Sequence, residues 1–357
     1  MQFTLFLKLV LFIILVQSSS VFAQANKRIT LLTWPEYLPE SVVTDFEKLS
    51  GIQVKQHYFE TDETKEALLN STAGKQFDIV LTSLFRLENY ASRGWLETVS
   101  QKQAANLQYL DTRWAKIAQQ TQHQCVPYLW GSVVIIYRKD LVSTPPTSWR
   151  EFFLPNPNPN IKTKLLKDSR DLLGSALLSL GRSVNDNDPE HIKQAGNLLY
   201  RQLPSVSSYG ALELSANSEL ISGDVALAMS YNGDAIFLKN LDNRLEYVVP
   251  DEGSLLWLDC LAVMKSSVNK QAVFEFINYI NQPKVAAIIS EQLFYATPNK
   301  AAKAFIKPEI LHNTSIYLPD ETVAQSEFNQ QLPTEALKMF QTVYSQILYQ
   351  LDIRSRD

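Results

Sequence analysis

Apolar positions along the chain alternate between two periods. Residues 28–33 form a strand-like run, and the next stretch sets Val42, Val43, Phe46 and Leu49 on one helical face before Gly51. That is a strand followed by a helix with a glycine at its C-terminal cap. Residues 52–59 read as a second strand, Thr61 or Asp62 caps a helix reaching Gly74, and residues 77–83 form a third strand. Three strand–helix units in succession predict a parallel sheet covered on both faces.

Helical periodicity returns over 84–93, and β-rich runs at 125–129 and 132–137 lead into the polar loop 143–148. Beyond it the pattern predicts strands at 164–167 and 225–230 and helices at 171–180 and 189–202. A strand at 245–249 and the apolar run 255–264 read as a return crossing, with helices at 269–281 and 334–350 completing the first lobe. The expected architecture is α/β: a lobe of residues 24–137 plus 251–357, a lobe of 138–250, and a cleft at the carboxyl ends of the strands.

Ahead of this stands Lys8, an apolar run from Leu9 to Val16, and Val21-Phe22-Ala23. This three-part form predicts a secretory signal peptide over 1–23, cleaved after Ala23, with an uncleaved anchor as the alternative. Removing Lys8 leaves 33 − 1 = 32 basic against 37 acidic residues, a net charge of −5. A mildly acidic exterior disfavours nucleic acid as a partner and is compatible with a cationic ligand. The expected location is the periplasm, where Cys125 and Cys260 either pair or stay as buried thiols. His57, His123, His191 and His312 are scattered, so neither a metal site nor a cofactor is expected.

The candidate chemistry gathers where strands end. Trp34-Pro-Glu-Tyr37, Ser83-Leu-Phe85, Asp168-Ser-Arg-Asp171, Tyr231-Asn-Gly233 and Trp257-Leu-Asp259 repeat aromatic and acidic side chains at one level. Trp257 and Asp259, two apart on a strand, point to one face. A polyamine, several ammonium groups on a thin alkyl chain, needs such a host: carboxylates for the nitrogens and flat rings along the methylenes. Asp168 also has the plainer reading of a helix cap.

Trp34-x-Glu-Tyr37, Phe77-Asp-Ile-Val80 with Ser83, Val126-Pro-Tyr-Leu-Trp-Gly131, Asp168-x-Arg170, Tyr231-Asn-Gly233, Trp257-Leu-Asp259 and Tyr295-Ala-Thr-Pro-Asn299 resemble the periplasmic spermidine/putrescine-binding proteins of bacterial polyamine uptake, collinearly over about residues 28–332. The resemblance implies a type II two-lobe binding protein that closes on a polyamine such as spermidine, norspermidine or putrescine. It further implies that Trp34, Tyr37, Phe85, Tyr231, Trp257 and Tyr295 wall the ligand. Asp168, Asp171 and Asp259 would hold its nitrogens, with Glu36, Ser83 and Asn329 as further polar contacts. The chain departs from the family pattern at Pro35, Phe85, Asp171, Tyr231 and Asn329, and the loop 209–214 matches poorly. Each change is worth about 1 to 3 kcal/mol in ligand preference. The implied protein is a monomer that presents ligand to an inner-membrane permease. The alternative partner is the periplasmic domain of a membrane sensor controlling cyclic-di-GMP and biofilm formation. A hydrolase is disfavoured, because the chain has no G-x-S-x-G elbow or phosphate loop.

Overall fold

The computed structural model describes residues 27–155 and 158–354, so the expected leader at 1–23 lies outside the described residues. Among them ten strands follow in the order β1 (Arg28–Thr33), β2 (Gln53–Tyr58), β3 (Ile79–Ser83), β4 (Val126–Arg138), β5 (Thr163–Leu165), β6 (Val206–Tyr209), β7 (Leu227–Tyr231), β8 (Leu245–Val248), β9 (Leu255–Val263) and β10 (Glu327–Phe328). They are hydrogen-bonded in the order β2-β1-β3-β9-β4-β7-β5-β6, with β10 against β9 and β8 against β4.

β1 pairs in parallel with β2 and β3, as expected of consecutive strand–helix units. Helix Glu40–Ser50 buries Val42, Val43 and Phe46 and stops at Gly51, whose φ of 70° puts it in the left-handed region. Helix Asp62–Asn70 starts where the Thr61 hydroxyl accepts the Thr64 N–H, and it ends before a short 3₁₀ turn instead of running to Gly74.

The two expected runs at 125–129 and 132–137 are one strand of 13 residues. The first half of β4, Val126 to Ser132, pairs antiparallel with β9. Its second half, Val133 to Tyr137, pairs with β7, and β8 runs along Ile135 to Arg138 on the other side. Gly131 does not interrupt it, because a Cβ there would overlap the Trp257 ring and the Asn232 side-chain oxygen. Cys125 and Cys260 form a disulfide with Cα atoms 5.0 Å apart, joining the start of β4 to β9.

Helix Thr334–Arg354 is longer than the expected 334–350, and it packs elsewhere. The sequence placed it with the first lobe. Its buried face of Ala336, Phe340, Val343 and Ile347 instead joins the cluster of Leu172, Leu173, Ile192, Ala195 and Leu199, on helices Ser169–Ser179 and Pro189–Gln202. Gly196 makes room, since a Cβ at that position would overlap Val343.

Candidate functional site

The ends of β1, β3, β5 and β7 converge beside the middle of β9. After β1 the chain turns through Pro35, and Glu36 takes a φ of 57°, which re-aims Tyr37 inward. The Tyr37 hydroxyl donates to Asp259 Oδ2 at 2.7 Å, and its carbonyl accepts the Tyr128 hydroxyl at 3.0 Å. Trp34 packs edge-on against Tyr37 with centroids 5.4 Å apart. Ser83 pairs with Asp259 across the β3–β9 ladder.

Trp257 stands two residues before Asp259 and meets two rings edge-on, Tyr295 at 4.8 Å and Tyr231 at 6.1 Å between centroids. Its indole nitrogen is buried without a hydrogen-bond partner. The Tyr231 hydroxyl donates to Asp171 Oδ2 at 2.8 Å, and Asn329 Nδ2 donates to Asp171 Oδ1 at 2.9 Å. Asp168 caps helix Ser169–Ser179 by accepting the Arg170 and Asp171 N–H groups at 2.8 and 3.0 Å, which is its plainer reading.

Of the twelve expected site residues, Trp34, Tyr37, Asp171, Tyr231, Trp257, Asp259, Tyr295 and Asn329 form one chain of ring and hydrogen-bond contacts. Asp168 joins its end, where its charge acts on Asp171. Ser83 sits beside Asp259, and Phe85 lies in the first turn of helix Leu84–Ser92 under the Arg86 guanidinium. Glu36 is exposed at the turn.

Three side chains escaped sequence reasoning. Asp234 accepts the Tyr295 hydroxyl at 2.6 Å. It follows directly on Tyr231-Asn-Gly233, where a Cβ at Gly233 would overlap the Tyr295 ring, so the motif itself pointed to it. Lys65 and Arg86, which meet at Asp62 in the same region, carried no such signal.

Burial dominates the electrostatics. It pushes the Asp259 carboxyl up to about 7, against the Tyr37 hydrogen bond and the Lys65 charge. It raises Asp234 to about 6, again opposed by its tyrosine. Asp168 and Asp171 are both raised, by burial first; the Asp62 charge adds to the shift at Asp168 and the Asp168 charge to that at Asp171. Such carboxylates are poorly compensated by neutral donors and gain most from a buried cation. Among the described residues no cluster of three or more His, Cys, Asp or Glu side chains is arranged to hold a metal ion, and no helix is long and apolar enough to cross a membrane.

Known proteins are similar to this chain. A Salmonella typhimurium spermidine/putrescine-binding periplasmic protein is 30% identical over 314 residues, 87% of this chain and 88% of that one. A norspermidine sensor of Vibrio cholerae is 28% identical over 348 residues, 96% of this chain and 95% of its own length. The solved structure of a Listeria monocytogenes protein described as a spermidine/putrescine ABC transporter superposes with a TM-score of 0.82 at 27% identity, over 90% of this chain and 98% of that one. The fold is that of type II periplasmic binding proteins. The sequence model for bacterial extracellular solute-binding proteins matches residues 41–314, and the chain belongs to that family.

Proposed function

We propose that this chain is a periplasmic polyamine-binding protein, not an enzyme, whose two lobes close around the ligand. The observation that carries the reading is the pair Asp171 and Asp259. Each is buried, bonded to neutral donors and raised in pKa, and the two are linked through Tyr231, Trp257, Tyr295 and Tyr37. A row of rings with a carboxylate at each end matches ammonium groups joined by methylenes. The acids come from both halves of the sheet. Residues 138–250, together with the C-terminal helix packed on them, would then move as one body against the rest.

The ligand's destination has two readings. The Listeria neighbour, described as an ABC transporter, supports delivery to an inner-membrane permease, and the Vibrio relative, a norspermidine sensor aligned nearly end to end, supports a sensor domain as the partner. Calorimetry on protein stripped of carried-over ligand tests the binding itself. Heat and saturation with putrescine, spermidine or norspermidine, and none with amino acids or sugars, is the expected result; silence with every polyamine removes the reading. Uptake of labelled polyamine in a deletion strain separates the partners, since a sensor's loss leaves uptake intact.

A further inference from the structure

Lys65 is fully buried, although lysine is among the residues least often found so. Its ammonium lies 2.6 Å from Asp62 Oδ1 and donates to the Thr82 hydroxyl at 3.3 Å. It also stands over two rings, 4.9 Å from the Trp34 centroid and 4.7 Å from that of Phe59. A carboxylate, a hydroxyl and two aromatic faces are the equipment the preceding reading reserves for a ligand nitrogen. The place is continuous with that site: Trp34 packs on Tyr37, which donates to Asp259, and Thr82 directly precedes Ser83, the ladder partner of Asp259.

We infer that the Lys65 ammonium is a resident cation filling the position beside Trp34, so that the cleft is built for a diamine and has no third place for the far nitrogen of a triamine. The inference rests on the polyamine reading and narrows it. The lysine side chain, four methylenes ending in an ammonium, is itself a tethered half of such a ligand. A triamine reaching past Asp259 toward Trp34 meets a like charge that is already paired and cannot leave its helix.

The same residues do not make an anion subsite. Arg86 Nε lies 2.8 Å from Asp62 Oδ2, an ion contact without hydrogen-bond alignment, so one carboxylate serves both cations. Asp168 adds its charge beside Arg86. Two cations against two acids leave no net positive charge to draw an anion.

Titration calorimetry with putrescine and spermidine, on stripped wild type, Lys65→Met and Lys65→Arg, tests this. The wild type should bind the diamine at least about tenfold more tightly than the triamine, a difference of about 1.4 kcal/mol. Lys65→Met, of similar length without charge, should shift that ratio by about tenfold or more toward the triamine, and Lys65→Arg should keep the wild-type order. A wild type that prefers the triamine overturns the inference without need of any variant. So does a Lys65→Met protein with the wild-type ratio, and in both cases the polyamine reading stands. Absence of heat with either amine overturns both together.

Discussion

At the scale of single residues, Asp259 shows how burial and binding pull on one proton. Its carboxyl is raised from the ordinary 3.8 to about 7 by burial, so between these values the folded, empty protein holds a proton that the unfolded chain releases. Stability of the empty protein is therefore gained as pH falls from 8 toward 5, and Asp259→Asn should flatten that slope. Affinity for a cation moves the opposite way, because protonation removes the charge it needs: polyamine binding should weaken from pH 8 to pH 6. Thermal melts and titrations across this range check both signs, and parallel melting slopes in wild type and Asp259→Asn would discard the account. Truncating Trp257 to Ala should cost at least about 2 kcal/mol of binding, since it unwalls the ligand between Asp259 and Tyr231. Affinity within threefold of wild type would remove Trp257 from the site.

At the scale of elements, much was legible because local physics decided it. The helix Glu40–Ser50 ended at Gly51 as its periodicity required, and Pro189–Gln202 kept the expected bounds, with Asp188 as its cap and proline in its first turn. The same-face reading of Trp257 and Asp259 needed only the two-residue period of a strand. Lys65 was not legible, because an Asp62–Lys65 pair three apart looks like any solvated helix face until tertiary packing buries it. The division of 125–137 into two strands failed for a related reason. A glycine that usually marks an interruption is here demanded by a ring from the neighbouring strand. Gly131→Val should therefore displace Trp257 and Asn232 and abolish measurable polyamine binding. Near-ultraviolet circular dichroism would report the moved indole, and an unchanged spectrum with unchanged affinity would refute the packing argument.

At the scale of the whole molecule, carboxylates from both halves of the sheet are joined by one chain of ring and hydrogen-bond contacts. Asp259 stands on β9, and Asp168 and Asp171 begin helix Ser169–Ser179 on the other side. A polycation bonded to both should shift the population toward a closed form. Small-angle scattering should show a smaller radius of gyration with saturating polyamine than without, and an unchanged radius in a sample shown to bind would mean that the ligand does not drive closure. The α/β class was readable from the succession of strands and helices. The partner of helix Thr334–Arg354 was not, because an amphipathic helix declares that it packs but not against what.

That helix and β4 together have a consequence for how the chain unfolds. β4 gives its first residues to one half of the sheet and its last to the other, and the chain's final helix completes the core of the half it reaches last. Neither half owns all of its own parts. A segment cut out as 138–250 would lack both the Val133–Tyr137 strand that joins β7 to β8 and the cover of Phe340, and should not fold alone. The intact chain should therefore melt in a single cooperative transition, with calorimetric and van't Hoff enthalpies equal, where two independently assembled halves would melt in two steps.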